Sequence, residues 1–164
     1  MQVSLIKSEP RPLSANVHDA IAGAERILPG RPSPEGLKDP RWQAIIEIAN
    51  FIESNPEEIW TFILRWGSHK DADLRAAVAT CLLEHLLDYY FDRFFPKVER
   101  AIKADPLFAD MFLMSAQLGQ STEPAKALRF DRLKNEASRL VHKAQRPTGI
   151  ARKAKRKSKG RPRA

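Results

Sequence analysis

The sequence predicts an all-α protein with a separate basic segment at its C-terminal end. Apolar residues recur at the 3.6-residue spacing of helices, and a capping residue repeatedly precedes proline where a helix would begin. No segment alternates apolar and polar residues for long, as a half-buried strand does. We therefore expect six or seven helices between residues 13 and 145.

The first helix is predicted over residues 13–28, where Val17, Ile21, Ala24 and Leu28 share one face. A proline-glycine pair ends it, and a linker rich in these residues follows. Residues 1–12 precede the first apolar stripe and are predicted to be flexible.

Three later helices are predicted to begin with a capping side chain followed by proline, at Asp39-Pro40, Asn55-Pro56 and Asp105-Pro106. The capping oxygen accepts an otherwise unpaired backbone N–H group, and proline suits the first helical position because it has no N–H to leave unpaired. Asn55 with Glu58 also resembles a capping box.

The segment 56–66 is apolar over an arc of about 200°, which is wide for a surface helix, and Gly67 is its predicted left-handed C-cap. Further helices are predicted over residues 105–118, closed by Gly119, and over residues 122–145. Residues 96–104 are predicted to form a short separate helix that starts at Pro96.

The longest predicted helix follows an Asp71 cap and continues to residue 95. Its polar residues are confined to a narrow seam of Thr80, Glu84 and Asp88, so this helix is expected to lie at the centre of the fold. Glu84 and Asp88 are expected to face solvent.

Cysteine content and hydropathy restrict the class of protein. Cys81 is the single cysteine among 164 residues, which excludes an internal disulfide framework and a Cys-rich zinc site. No apolar run approaches the roughly 18 residues of a membrane span, and the N-terminus lacks the apolar stretch of a signal peptide. We expect a cytoplasmic protein with no membrane contact, metal or cofactor.

The formal net charge of +8 is concentrated near the C-terminus. Residues 149–164 hold eight of the 28 Lys and Arg residues and no acidic residue, so the twenty basic residues elsewhere balance the 20 Asp and Glu. A segment with this charge cannot form a core, and residues 146–164 are predicted to be a disordered polybasic tail. The basic residues of the tail are Arg152, Lys153, Lys155, Arg156, Lys157, Lys159, Arg161 and Arg163.

Within the tail, Lys159, Gly160, Arg161, Pro162 and Arg163 form a motif similar to an AT-hook, with lysine where arginine is usual. The resemblance implies an extended backbone in the minor groove of A·T-rich DNA, whose narrow and electronegative floor attracts arginine. Nucleic acid is the favoured partner of the tail. An acidic protein, ribosomal RNA and a solubilising role are the alternatives.

The hairpin over residues 56–90 resembles a HEAT-type helical repeat, because its second helix opens with Asp71, Leu74, Arg75 and Val78 in the pattern D-x-x-(V/L)-R-x-x-(A/V). The resemblance implies a right-handed stack of antiparallel helix pairs, an α-solenoid that binds protein partners, although some bacterial members are DNA alkylation-repair enzymes. The flanking segments lack this pattern and show no clean internal period, so a compact helical bundle is the alternative.

Cys81 and His85 are four residues apart, and Asp88 lies about one turn further along the same face. This spacing suits a thiolate-imidazole pair or a metal site. Core packing is the favoured interpretation, because Leu74 and Val78 share that face and free cysteine behaves as a small apolar residue.

Trp42, Trp60 and Trp66 are candidates for stacking on nucleic-acid bases, but each lies among aliphatic residues at helical spacing, which favours core packing. Trp66 differs, because it lies at the hairpin turn with His69 and Lys70 and is a candidate surface contact.

Together these features predict a non-enzymatic helical-repeat adaptor. Its folded part would bind another protein, and its tail would make sequence-independent contacts with nucleic acid. One alternative is an enzyme acting on nucleic acid, with Cys81, His85, Asp88 and Trp66 as candidate site residues. Another is an accessory protein with no role on nucleic acid.

Overall fold

The computed structural model describes residues 14–30 and 39–146, and all regular structure within these ranges is helical. The predicted flexible N-terminus and the basic tail beyond residue 146 lie outside the described residues. The α-helices are α1 (Val17–Ile27), α2 (Pro40–Ala49), α3 (Pro56–Trp66), α4 (Ala72–Val78), α5 (Glu84–Ala104), α6 (Pro106–Met114) and α7 (Pro124–Gln145). The predicted all-α class is confirmed for this part of the chain.

Aspartate caps begin three of these helices as predicted. Asp39, Asp71 and Asp105 each accept the backbone N–H two residues later, at 2.8 to 3.0 Å. The cap predicted at Asn55 is wrong, because its side-chain oxygen accepts the Ser54 hydroxyl at 2.9 Å and makes no hydrogen bond to the helix backbone.

A π-helical turn, Ala79–Leu83, joins α4 to α5, so a central rod of helix, kinked at Tyr90, runs through residues 72–104. α2, α3 and α6 pack on its first half, α7 packs on α5 and α6, and α1 packs on α2. The position predicted for this segment, at the centre of the fold, is confirmed. Its fully buried side chains include Leu82, Leu83, Leu86, Leu87, Phe91, Phe94, Phe95 and Val98.

The break predicted at Pro96 is wrong, because α5 continues through this residue. The non-helical backbone lies instead at Tyr90 (φ −138°, ψ 43°), whose hydroxyl donates to the Glu53 carbonyl at 2.7 Å. An interior proline costs a helix about 3 kcal/mol. Burial of Phe95 and Val98 on both sides of Pro96 is of that order or larger, so packing keeps the backbone helical at Pro96.

Arg41 is 1% exposed and joins the N-termini of α2 and α4. Its guanidinium lies 3.0 Å from Asp39, 2.9 Å from Asp71 and 2.6 Å from Asp73. Trp42 adds a hydrogen bond from its indole N–H to Asp73 at 3.2 Å. A buried guanidinium needs such partners because an unpaired charge away from water is costly.

A second buried arginine, Arg75, is 7% exposed and joins α4 to α6. It donates two hydrogen bonds to the Asp110 carboxylate, at 2.6 and 3.1 Å. It also donates to the carbonyls of His69 and Lys70 in the turn before α4, at 2.7 and 3.0 Å. One side chain therefore fixes both the turn and the neighbouring helix.

Gly67 follows α3 with a φ of −66°, so the left-handed C-cap predicted there is wrong. Close packing accounts for the glycine instead. A Cβ atom at this position would lie 2.6 Å from the Ile63 carbonyl oxygen and 2.8 Å from the Met111 methyl group of α6.

We expect Arg41→Met to lower the free energy of unfolding by about 2–3 kcal/mol at pH 7, because three carboxylates lose their shared cation. Urea unfolding followed by circular dichroism measures this change. Arg100→Met is the control, because Arg100 is an exposed arginine with no ion pair among the described residues. Its effect should stay within about 0.5 kcal/mol. Equal effects of the two substitutions would contradict the role of Arg41.

The Arg41→Met effect should shrink as the pH falls below about 4. Burial acts to raise the pKa of Asp71, but hydrogen bonds from Arg41 and from backbone N–H groups outweigh it and lower that pKa. A carboxyl whose pKa is lower in the folded state stabilises the fold above its unfolded pKa, and this stabilisation is lost as the group is protonated. Urea unfolding of both chains at pH 3 tests whether the Arg41→Met effect on the free energy of unfolding is smaller there than at pH 7.

We expect Gly67→Ala to cost about 1–3 kcal/mol of stability, because the new methyl group overlaps Ile63 and Met111. Gly23→Ala is the matched control within α1. A Cβ there meets nothing nearer than the Arg26 guanidinium at 4.0 Å, so the higher helix propensity of alanine should add up to about 1 kcal/mol. Thermal unfolding of both variants should show shifts of opposite sign, and a stabilised Gly67→Ala variant would refute the packing role.

Candidate functional site

Cys81 lies in the π-helical turn and is half-buried, with its sulfur 3.8 Å from the Thr80 hydroxyl oxygen. Burial raises the pKa of the Cys81 thiol, and the contact with Thr80 offsets this only in part. His85 is exposed on the first turn of α5, and no hydrogen bond joins it to Cys81. Residues 14–30 and 39–146 contain no cluster of three metal-ligating side chains.

Asp88 stabilises the connection into α7. Its carboxylate accepts the backbone N–H of Gln120 at 3.3 Å and packs against Gly119, which has a φ of +46°. Any side chain at Gly119 would be strained by this φ and would overlap the carboxylate. The aspartate that the sequence grouped with Cys81 and His85 is therefore half-buried against a turn.

Glu84 is 8% exposed, so the expectation that it faces solvent is wrong. Its carboxylate accepts the backbone N–H of Ala116 at 2.7 Å. Beside it, the Lys134 ammonium donates to the carbonyl of Leu113 at 2.6 Å and to that of Ser115. These hydrogen bonds join α5 and α7 to the chain that leaves α6.

Both charged groups of this cluster are disfavoured by burial. Burial raises the pKa of Glu84, and the hydrogen bond from Ala116 and nearby positive charges offset the effect only in part. Burial likewise lowers the pKa of Lys134, despite the negative charges of Glu84 and Asp131. Both groups are occupied in holding the backbone.

We expect Glu84→Gln to fold as stably as the wild-type chain at pH 8 or more stably, because the amide oxygen can still accept the Ala116 N–H. Glu84→Ala leaves that N–H unpaired and should cost about 1–3 kcal/mol. Because the pKa of Glu84 is raised in the folded state, the ionised carboxylate costs stability at high pH, and this cost disappears as the pH falls. Any advantage of Glu84→Gln should therefore vanish toward pH 4, as urea unfolding at several pH values would show. Equal losses in both variants would contradict this role.

The three tryptophans lie largely in the packed interior. Trp60 contacts the rings of Phe94 and Phe108, with centroids 5.9 and 6.1 Å apart. Trp66 is 8% exposed, so it is not the surface residue that its place at the turn indicates. It packs on the His69 ring at 5.5 Å, and its indole N–H is buried without a hydrogen-bond partner.

Of the proposed surface group Trp66, His69 and Lys70, only Lys70 is exposed. His69 is half-buried, and its Nδ1 accepts the backbone N–H of Asp71 at 3.1 Å. Trp42 is also half-buried beside the Arg41 cluster. The aromatic side chains therefore offer no row of exposed rings on which successive bases would stack.

A groove between α3 and the end of α5 is the apolar surface feature that the sequence did not reveal. Its volume is about 370 Å³, and it is lined by Trp60, Leu64, Ala101 and Ala104 with Lys97 and Arg100. Leu64 is 41% exposed in it. No acidic side chain lines it among the described residues, so its chemistry suits an apolar helix face flanked by carboxylates. In the sequence, the local indication of this groove is the wide apolar arc of residues 56–66.

The last turns of α7 present exposed Arg139 and Lys143, and the C-cap residue Arg146 is also exposed. These residues precede the predicted tail, whose candidate nucleic-acid-binding residues, Arg152 to Arg163, lie outside the described residues. A signal was present in the sequence, since no acidic residue follows Glu136. When the basic segment is counted from residue 149, these three residues fall in the charge-balanced part of the chain, and the signal is lost.

No family model, curated protein or solved structure matches the chain. The likenesses to HEAT-type repeats and AT-hooks therefore stay predictions. None of the helices described here is both long and apolar enough to cross a membrane.

Proposed function

We propose that this chain is a non-enzymatic adaptor. In this proposal the helical part binds another protein, and the basic C-terminal segment holds nucleic acid without reading its sequence. The separation of charge is the observation that carries the proposal. Eight cations lie in residues 149–164 with no carboxylate among them, whereas Asp and Glu balance Lys and Arg in the rest of the chain.

The two buried arginines support a stack of helix pairs. Arg41 pairs with aspartates of α4, and Arg75, 34 positions later, pairs with an aspartate of α6. Arg41 therefore links α2 to α4, and Arg75 links α4 to α6. A helix pair cannot bury both of its apolar faces alone, and such links between alternate helices are consistent with stacking.

The groove between α3 and α5 is the surface that best suits a protein partner of the helical part. Trp60 and Leu64 supply apolar area, and Arg100 supplies a cation with no ion pair among the described residues. An amphipathic helix with acidic residues along one edge matches this combination. The polybasic tail does not, because its charge has the same sign as the groove edge.

The enzyme alternative would require Cys81, His85 and Asp88 to react with a substrate. Burial raises the pKa of Cys81, and Asp88 is engaged with the turn at Gly119. No observation favours this alternative over the adaptor. The single cysteine is consistent with the cytoplasm, where thiols stay reduced.

We expect the full chain to bind a fluorescent 20-base-pair duplex at 50 mM salt, and a chain ending at Arg146 to bind it far more weakly. Fluorescence anisotropy over a salt series tests this. Eight phosphate contacts would give a slope of log K against log salt of up to about −7, and the shortened chain should lose most of it. Equal binding by both chains, or no binding by either at 50 mM salt, would refute the role of the tail.

Thermal unfolding supplies the control for that comparison. The last described helix ends at Gln145, so the shortened chain should keep the melting temperature and helix content of the full chain. Duplexes of A·T and G·C sequence separate the AT-hook resemblance from general phosphate binding, because the two differ in minor-groove width.

A further inference from the structure

The end of α7 carries a basic surface that belongs to the folded part. Arg139 and Lys143 are four residues apart on α7, and Arg146 is the C-cap residue three positions later, so the three side chains lie on one side of the helix end. All three are exposed, and they span about 10 Å along the helix axis. We call this surface the α7 basic face.

Of the other Lys and Arg residues of α7, Lys126, Arg129 and Lys134 have partners within the fold, whereas Arg132 has none among the described residues. Lys126 pairs with Asp92 and Glu123, and Lys134 donates to backbone carbonyls. By contrast, Arg139, Lys143 and Arg146 form no ion pair with any carboxylate in the described ranges. Within the described residues, the Arg139 side chain makes one hydrogen bond, from its Nε to the Asn135 carbonyl of the same helix at 3.2 Å.

The C-terminal end of a helix attracts cations through its dipole, by about 0.3–1 kcal/mol each. This effect accounts for basic residues in the last turn. It does not account for the absence of every acidic residue from position 137 to the end of the chain, a stretch that holds eleven Lys and Arg residues. The α7 basic face is therefore the folded start of a longer basic run.

We propose that the α7 basic face binds the phosphates of a nucleic-acid duplex and positions the helical part against it. This inference rests on the proposed function and goes beyond it, because a tail that is disordered, as predicted, would not by itself orient the helical part. Each strand of a duplex carries one phosphate per 3.4 Å of axis, so three cations over about 10 Å match about three phosphates. The two arginines can each bind a phosphate through two N–H groups, and Lys143 acts as a point charge.

The test uses the full chain with Arg139→Gln, Lys143→Gln and Arg146→Gln together. The matched control is Arg26→Gln, Arg65→Gln and Lys103→Gln, which also removes two arginines and one lysine from exposed positions. Anisotropy with the 20-base-pair duplex should show that the α7 variant loses about 2 to 3 units of salt slope. Its affinity at 100 mM salt should fall on the order of tenfold, whereas the control should keep a slope near that of the wild-type chain.

A charge-preserving variant, Arg139→Lys with Lys143→Arg and Arg146→Lys, should keep most of the salt slope. Circular dichroism must show equal helix content in all variants. Equal losses by the α7 variant and the control would overturn the inference while leaving tail binding intact. No binding by the full chain would overturn both proposals. Poly-L-glutamate serves as a polyanion without phosphates. If the α7 variant lost as much affinity for poly-L-glutamate as for the duplex, the assignment to phosphates would be overturned and an acidic polymer indicated instead.

Discussion

Two buried guanidinium groups set the alignment on which the rest of this fold depends. Apolar burial holds helices together without direction, whereas a buried cation is stable only where carboxylates and carbonyls meet it at hydrogen-bond distance. Arg41 imposes this condition on α2 and α4, and Arg75 imposes it on α4 and α6. Asp71 both caps α4 and pairs with Arg41, so the start of α4 and its distance from α2 are set together. Sliding either helix by one turn would separate these pairs.

Two acidic residues of the central rod likewise fix the positions of neighbouring segments of the chain. Glu84 holds the chain that leaves α6, and Asp88 holds the turn that leads into α7. Cys81 is half-buried one turn before them. Of the predicted row of reactive groups, Asp88 is thus engaged in connecting helices, whereas Cys81 is half-buried and His85 is exposed. Two exposed features of the described residues bear on the proposed function, namely the groove between α3 and α5 and the α7 basic face.

These two features give the proposed adaptor its arrangement. The groove is apolar with a cationic edge, whereas the α7 basic face is wholly polar and adjoins the basic run of the C-terminal segment. One surface would recognise a helix by burial and the other a polyanion by charge. Because both belong to the folded part, a protein and a nucleic acid would be held in a defined relation. A tail that is disordered, as the sequence predicts, would alone hold them only at a raised local concentration.

The sequence by itself determined the helical class, the three aspartate caps, the centrality of the residue 71–95 segment and the uneven charge. Each depends on residues within a few positions of one another, because caps, stripes and charge runs are local. Only the tertiary structure decided that Glu84 is buried, that α5 continues through Pro96 and that Gly67 serves close packing. These outcomes depend on partners 30 or more positions away, such as Ala116 for Glu84 and Met111 for Gly67. Burial and hydrogen-bond partners arise only when distant helices meet, so no local pattern encodes them.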